Sequence, residues 1–227
     1  MPASTFASRA LRFYKSLERP SVPRGVGVMN PYADPAVLGL VRSFLKRYFD
    51  DDQERLLVLG INPGRFGAGI TGITFTDPVA LADACGIANA MPRRRELSSI
   101  FVYLFIDAIG GPEEFYRRCF LTAVSPLGYT RDGKNLNYYD EPKLTRAVTP
   151  FIVHTMQQQL ALGARRDHAV VLGKGENYRY LARMNAEHRW FREIHALDHP
   201  RPIMQYRRKQ LASYVRQYAD LISTLSS

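Results

Sequence analysis

Residues 55–67 read Arg-Leu-Leu-Val-Leu-Gly-Ile-Asn-Pro-Gly-Arg-Phe-Gly, an apolar run that stops at a glycine and passes into a glycine-rich loop. Arg55–Gly60 shows no alternation of polar and apolar residues, which is how a strand buried on both faces of a parallel sheet reads. Three more short runs, bounded by breakers, share this character: Cys119–Val124, Ala169–Gly173 and Arg192–Leu197. Helical periodicity fills the intervals over Ala36–Phe49, Leu97–Ile109, Leu144–Leu162, Gly175–Asn185 and Tyr206–Leu225. A basic amphipathic surface helix precedes them, from about Thr5 to Glu18. Strands alternating with helices predict an α/β fold, a three-layer α/β/α sandwich around a central four-stranded parallel sheet. The chain reads as one domain over 1–227, with an N-terminal helical extension over about 1–34. Gly128–Pro142 reads as a long polar loop, of the kind that often carries function.

Bulk composition narrows the function classes. The chain has 227 residues, 46% hydrophobic and 23% charged, which suits a globular domain and not a disordered or fibrous chain. Cys85 and Cys119 are its only cysteines, too few for a four-thiolate metal site or a disulfide framework, so a reduced cytosolic setting is expected. No run approaches the roughly 18 apolar residues of a membrane helix, and the N-terminus lacks the apolar core and cleavage site of a secretory signal. Lys plus Arg outnumber Asp plus Glu by 31 to 21. A formal charge of +10 favours a polyanionic partner and says nothing about fold.

Ligand sites in parallel sheets gather at the carboxyl ends of the strands. The segments there are Gly60–Gly64, Ser125–Gly128, Gly173–Glu176 and Asp198–Pro200. The first is not a dinucleotide or P-loop fingerprint: the glycine spacing is wrong, no Gly-Lys-Ser/Thr ends it, and Pro63 removes an N–H that a phosphate would use. Its turn presents Asn62 and several backbone amides, suited to a water or a planar polar ligand; a plain strand-to-loop turn is the alternative. His199 falls on the same edge, where a neutral imidazole can donate to developing negative charge. His154, His168, His188 and His195 have no such placement and read as structural. Arg201–Lys209 is a basic stretch, with Arg207-Arg208-Lys209 read as opening the last helix and meeting phosphates. Arg93-Arg94-Arg95 reads as solvated surface.

These residues resemble the single-strand-selective monofunctional uracil-DNA glycosylases, a branch of the uracil-DNA glycosylase superfamily. Their first motif is similar to Gly60, Asn62, Pro63, Gly64, Phe66, Gly67, Thr71, Gly72 and Phe75; their second to His199, Pro200 and Pro202, with Lys209 at the lysine position. Gly133-Lys134-Asn135-Leu136, Gly173 and Gly175 fit further family loops. The resemblance implies removal of a damaged base from DNA, without metal or organic cofactor. Asn62 would position the attacking water and His199 would stabilise the departing base. Phe75 would stack on that base, the Ile61 backbone would contact it, and Gly64 would leave it room. Lys134 and Asn135 would lie near DNA, while Arg201, Arg207, Arg208 and Lys209 would clamp phosphates beside the wedge Ile203–Tyr206. Lys174 carries no sign of a Schiff-base role, so strand cleavage is not expected.

One departure bears on specificity. Ala123 stands where the family carries the Asn that reads the base, and Ser125 is the nearest polar candidate to replace it. This pattern resembles a divergent bacterial subgroup and implies uracil with xanthine or hypoxanthine as co-substrates, acted on by a monomer in the bacterial cytoplasm. A non-catalytic binder of damaged or single-stranded DNA is the alternative. A hydrolase of free nucleosides is a third reading, which the basic surface disfavours.

Overall fold

The computed structural model describes residues 4–227; the first three residues of the expected domain and of its extension lie outside the described residues. Seven strands form: β1 (Gly27–Met29), β2 (Arg55–Gly60), β3 (Cys119–Ala123), β4 (Gly128–Arg131), β5 (Lys134–Leu136), β6 (Ala164–Leu172) and β7 (Glu193–Leu197). The helices are α1 (Phe6–Lys15), α2 (Pro35–Tyr48), α3 (Ala68–Thr71), α4 (Pro78–Asp83) and α5 (Leu97–Ile109), followed by α6 (Pro112–Arg118), α7 (Pro142–Leu160), α8 (Glu176–His188), α9 (Pro200–Tyr206) and α10 (Leu211–Ser226). The expected parallel sheet is present in the order β3-β2-β6-β7. Every residue of β2 is buried, and Leu57 pairs with Phe120 on one side and Ala169 on the other. A central strand flanked this way has to be apolar on both faces, which is why its run lacks alternation.

Two expectations are corrected. Gly128–Pro142 is not simply a loop: β4 and β5 form a hairpin within it, which pairs with β1 as a three-stranded antiparallel sheet. Its two turn residues, Asp132 and Gly133, have φ of 47° and 70°, the left-handed pair that matches the twist of a two-residue hairpin. The last helix does not open at Tyr206. Pro200 starts a separate helix with its φ preset, His199 caps it, and the chain leaves it through a single 3-10 turn at Arg208–Gln210 before α10. Arg208 and Lys209 therefore sit in a connection and not in the first turn of a long helix.

The amphipathic N-terminal helix contributes to the core. Thr5 caps it by accepting from the Ser8 amide, and Phe6 is fully buried with its ring centroid 5.4 Å from that of Phe49 and 5.0 Å from that of Phe120. Against both Phe6 and Phe49 lies the guanidinium of fully buried Arg55, 4.9 and 4.8 Å from the two centroids. It donates to the Tyr116 and Gln53 carbonyls and to both oxygens of Asp51. A charge removed from water persists only with such partners. Both cysteines are free and buried, and burial pushes their thiols up to about 11 for Cys85 and about 12 for Cys119. Among the described residues, no helix is long and apolar enough to cross a membrane.

Candidate active site

The carboxyl ends of the parallel strands open into a cavity of about 520 Å³, bordered by Gly60–Gly64, Phe75, Ala123, Gly173–Asn177, Asp198, His199 and Arg201–Ile203. Its floor is set by close approach. A Cβ on Gly60 would lie 2.6 Å from Phe75 Cε2, so the phenyl ring can rest on the end of β2 only because no side chain intervenes. Phe75 itself has φ of 55°, a strain of about 1–3 kcal/mol for a bulky residue. Thr71 steadies the bend: its hydroxyl donates to the Thr76 carbonyl at 2.6 Å and accepts from the Ile73 amide at 3.2 Å.

Asn62 is held from the far side of the cavity by the chain that leaves β5. Its Nδ2 donates to the Leu136 carbonyl at 3.3 Å and the Pro63 carbonyl at 3.4 Å, and its Oδ1 accepts from the Tyr138 amide at 3.1 Å. Those bonds fix which way the amide faces and leave one oxygen lone pair uncommitted. The Tyr138 hydroxyl donates to Asn177 Oδ1 at 2.7 Å, and Asn177 Nδ2 donates to the carbonyls of Gly60 and Leu172, each at 3.3 Å. A buried chain of hydrogen bonds thus ties Asn62 to the ends of β2 and β6.

His199 caps α9. Its Nδ1 accepts the Arg201 amide at 3.2 Å, which places the ring proton on Nε2. Burial, with the Arg201 guanidinium adding to it, lowers its pKa from 6.5 to about 4, so the ring is a neutral donor at physiological pH. Its centroid lies 5.8 Å from that of Phe75. The adjacent Asp198 carboxylate pairs with Lys174 Nζ at 2.9 Å, and its carbonyl accepts the Tyr218 hydroxyl.

The structure brings most of the expected residues together at this cavity: Asn62, His199, Ile61, Gly64, Phe75, Asn135, Arg201 and Arg207 all border it. A Cβ on Gly64 would meet Asn135 Nδ2 at 3.4 Å and Glu96 Oε1 at 3.9 Å, ordinary van der Waals contacts, so packing alone does not demand glycine there. Ser125 is not among them. It is fully buried, donates to the Leu127 carbonyl at 2.9 Å and lies 3.0 Å from the Tyr129 hydroxyl. Lys134 is exposed at the hairpin turn, and Arg208 and Lys209 border a separate shallow groove with Gln205–Arg207. Of the four wedge residues, Ile203 and Met204 are buried, while Tyr206 is 80% exposed. Arg93 pairs with Asp83 on the surface, whereas Arg94 lies 3.7 Å from the centroid of Phe66.

The cavity residues Asn177 and Glu96 escaped the sequence reading, as did Tyr138, buried behind Asn62. Tyr138 is found through the Asp-Gly turn, which marks the hairpin that delivers it. No local pattern marks Asn177. The Glu96 carboxyl borders the cavity, and burial raises its pKa, against the opposing pull of the Arg201 guanidinium. The cluster with metal-ligand character among the described residues lies elsewhere, at His168, Glu193 and His195.

The family model described as the uracil DNA glycosylase superfamily matches residues 47–222. A single-strand selective monofunctional uracil-DNA glycosylase of Rattus norvegicus is 31% identical over 162 residues, covering 62% of this chain and 56% of the relative. The Mus musculus protein of that description is 30% identical over 166 residues, covering 63% and 57%. The chain therefore spans little more than half the length of these curated relatives. The crystal structure of wild-type SMUG2 from Pedobacter heparinus superposes with a TM-score of 0.95 at 39% identity, covering 98% of this chain and 99% of that one.

Proposed function

The chain belongs to the uracil DNA glycosylase superfamily, and we propose that it is a monofunctional DNA glycosylase that hydrolyses the N-glycosidic bond of uracil in DNA and accepts xanthine or hypoxanthine as well. The observation that carries this reading is that Asn62 and His199, each held by its own hydrogen bonds, border one cavity.

Cleavage of this bond develops positive, oxocarbenium-like charge on the sugar and negative charge on the departing base. Asn62 Oδ1 retains one lone pair to align a water; an amide orients without abstracting a proton, which suits a transition state in which the bond to the base breaks first. His199 Nε2–H is the complementary donor. A neutral imidazole in a buried site stabilises the anionic base through a hydrogen bond that is preformed and needs no reorganisation. Phe75 supplies the stacking face for an extruded base, and extrusion costs a few kcal/mol. Lys174 is engaged by Asp198, which supports base removal without strand cleavage.

Ala123 borders the cavity with no amide to offer, and Ser125 is committed to Leu127 and Tyr129. Neither position therefore offers the edge of a base a hydrogen bond from its side chain. A site without a paired side-chain amide discriminates bases less sharply, which supports the wider range. Arg201, Arg207, Arg208 and Lys209, with Lys134 and Asn135 across the mouth, supply phosphate contacts, and exposed Tyr206 is the residue placed to enter the stack. Leu104 and Tyr206 are the only exposed large apolar side chains among the described residues, which supports a monomer.

The test is single-turnover cleavage of matched oligonucleotides carrying uracil, xanthine, hypoxanthine or thymine, single-stranded and paired, with alkali to reveal abasic sites. Cleavage of uracil and of a deaminated purine is expected. Cleavage of uracil alone overturns the broad range, and salt-sensitive binding without any abasic product overturns catalysis in favour of a DNA binder.

A further inference from the structure

At the amino-terminal start of β7, away from the residues bordering the cavity, three metal-ligating side chains share one face of the sheet. His168 of β6 stands directly across from Glu193, and His195 stands one position along the same face, across from Val170. Strand side chains alternate with period two, so residues 193 and 195 point the same way. The sequence reading takes both histidines as structural, and their side chains do more than fill space.

His195 Nε2 lies 3.2 Å from His168 Nδ1. Glu193 Oε2 lies 3.7 Å from that same Nδ1, and its other oxygen, Oε1, lies 3.6 Å from that same Nε2. The carboxylate is thus too far from either ring for a hydrogen bond, which would draw it to about 2.8 Å. The two ring nitrogens, within hydrogen-bond distance of each other, are spaced like the edge of a tetrahedron with bonds of about 2.0–2.1 Å, which is roughly 3.3 Å, and one carboxylate oxygen lies within 4.8 Å of both. Two half-buried imidazoles and one exposed carboxylate form a borderline nitrogen and oxygen donor set, suited to zinc with its fourth position open to water. Arg166, two residues before His168, turns its guanidinium to the carbonyls of Arg189 and Trp190. None of the three residues borders the cavity.

We propose that His168, Glu193 and His195 form a divalent transition-metal site, with Zn2+ the fitting ion, that staples the edge strand β7 to β6. β7 is hydrogen-bonded on one side only, and its far end runs directly into Asp198 and His199. A metal bridge at its base adds a second tie to the strand that delivers the imidazole to the cavity. The site is distinct from base removal, which needs no metal.

The experiment uses the full chain stripped with a chelator and titrated with Zn2+ alone by calorimetry, with Co2+ absorption reporting tetrahedral geometry. One equivalent is expected, together with a Zn2+-dependent rise in the thermal midpoint. Both signals should vanish in His168→Gln and in His195→Gln, with circular dichroism confirming that each variant is folded. Should either variant fail to fold, anomalous scattering from wild-type crystals grown with Zn2+ decides, since the ion must lie between these three side chains. Absence of saturable binding, full binding by both folded variants, or an anomalous peak elsewhere overturns the site.

Discussion

The cavity floor and the junction between α9 and α10 both serve the proposed reaction, yet they are built in opposite ways. On the floor, Asn62, Tyr138 and Asn177 hold one another and the strand ends through hydrogen bonds of 2.7 to 3.4 Å, and His199 is fixed by the turn it caps. At the junction, Arg207 touches only the Tyr214 hydroxyl and Arg208 a single carbonyl, while Tyr206 stands in solvent. The contrast teaches where precision is needed. Chemistry at a developing charge depends on geometry fixed beforehand, whereas holding a phosphate backbone depends on charge that can follow the strand.

The sharpest way to break this comparison is to remove a fixed group. His199→Ala should slow single-turnover cleavage of uracil DNA by roughly 100- to 1,000-fold, as loss of a preformed donor does elsewhere, and Asn62→Ala by a comparable factor. DNA affinity should hardly change in either. Equal activity in both variants would remove them from the roles assigned here.

Acidification tests the same floor without mutation. His199 has its pKa lowered from 6.5 to about 4, so it stays a neutral donor until the pH approaches 4, and cleavage attributable to it should hold level to that point. The unfolded chain takes up this proton first, so the stability contribution is present above 6.5 and is lost as the pH falls toward 4. The acid limb of thermal unfolding, compared between wild type and His199→Gln, checks the sign.

Asn177→Leu leaves the buried Tyr138 hydroxyl without its acceptor and takes a donor from the Leu172 carbonyl and from the Gly60 carbonyl, which keeps the Val124 amide. It should cost about 1–3 kcal/mol in denaturant unfolding and reduce turnover more than DNA binding, because the amide of Asn62 loses its support. Ala123→Asn should sharpen the choice of base by up to about 1–3 kcal/mol, favouring uracil over xanthine, if a bidentate amide reads the base edge as such pairs do. Competition between the two substrates reads this directly. The smallest effect belongs to the junction: Arg207→Ala should weaken binding to every strand alike and lower the salt slope by about one. A change in base preference in that variant would erase the division between the two regions.

The parallel sheet was legible in the sequence because β2, β3 and the carboxyl half of β6 are buried on both faces and so read as short unbroken apolar runs. β2 falls at Arg55–Gly60 and α5 at Leu97–Ile109, as their apolar content and flanking breakers predict. The antiparallel hairpin was missed because β4 and β5 are short, polar and half-exposed, although Asp132-Gly133 is a hairpin signal in its own right. Asn62 and His199 were legible because each follows a strand at the sheet edge where ligands bind. Asn177 was not: a buried amide joined to partners at positions 60, 138 and 172 leaves no periodicity behind. Ser125 was misplaced for a related reason. Its neighbourhood in the chain points to the cavity, but its hydroxyl finds Tyr129 instead.

The hydrogen-bond chain from Asn62 through Tyr138 to Asn177 also acts as a safeguard. Residue 62 gains its orientation only after residue 138 has been brought over by the hairpin and residue 177 has docked against Gly60 and Leu172. His199 arrives later still along the chain, at the end of the edge strand. In the proposed reaction, a chain that is partly folded, or locally opened at this hairpin, therefore lacks the fixed amide that aligns the water. Under the proposed function, hydrolytic competence becomes a report on complete assembly around residue 62.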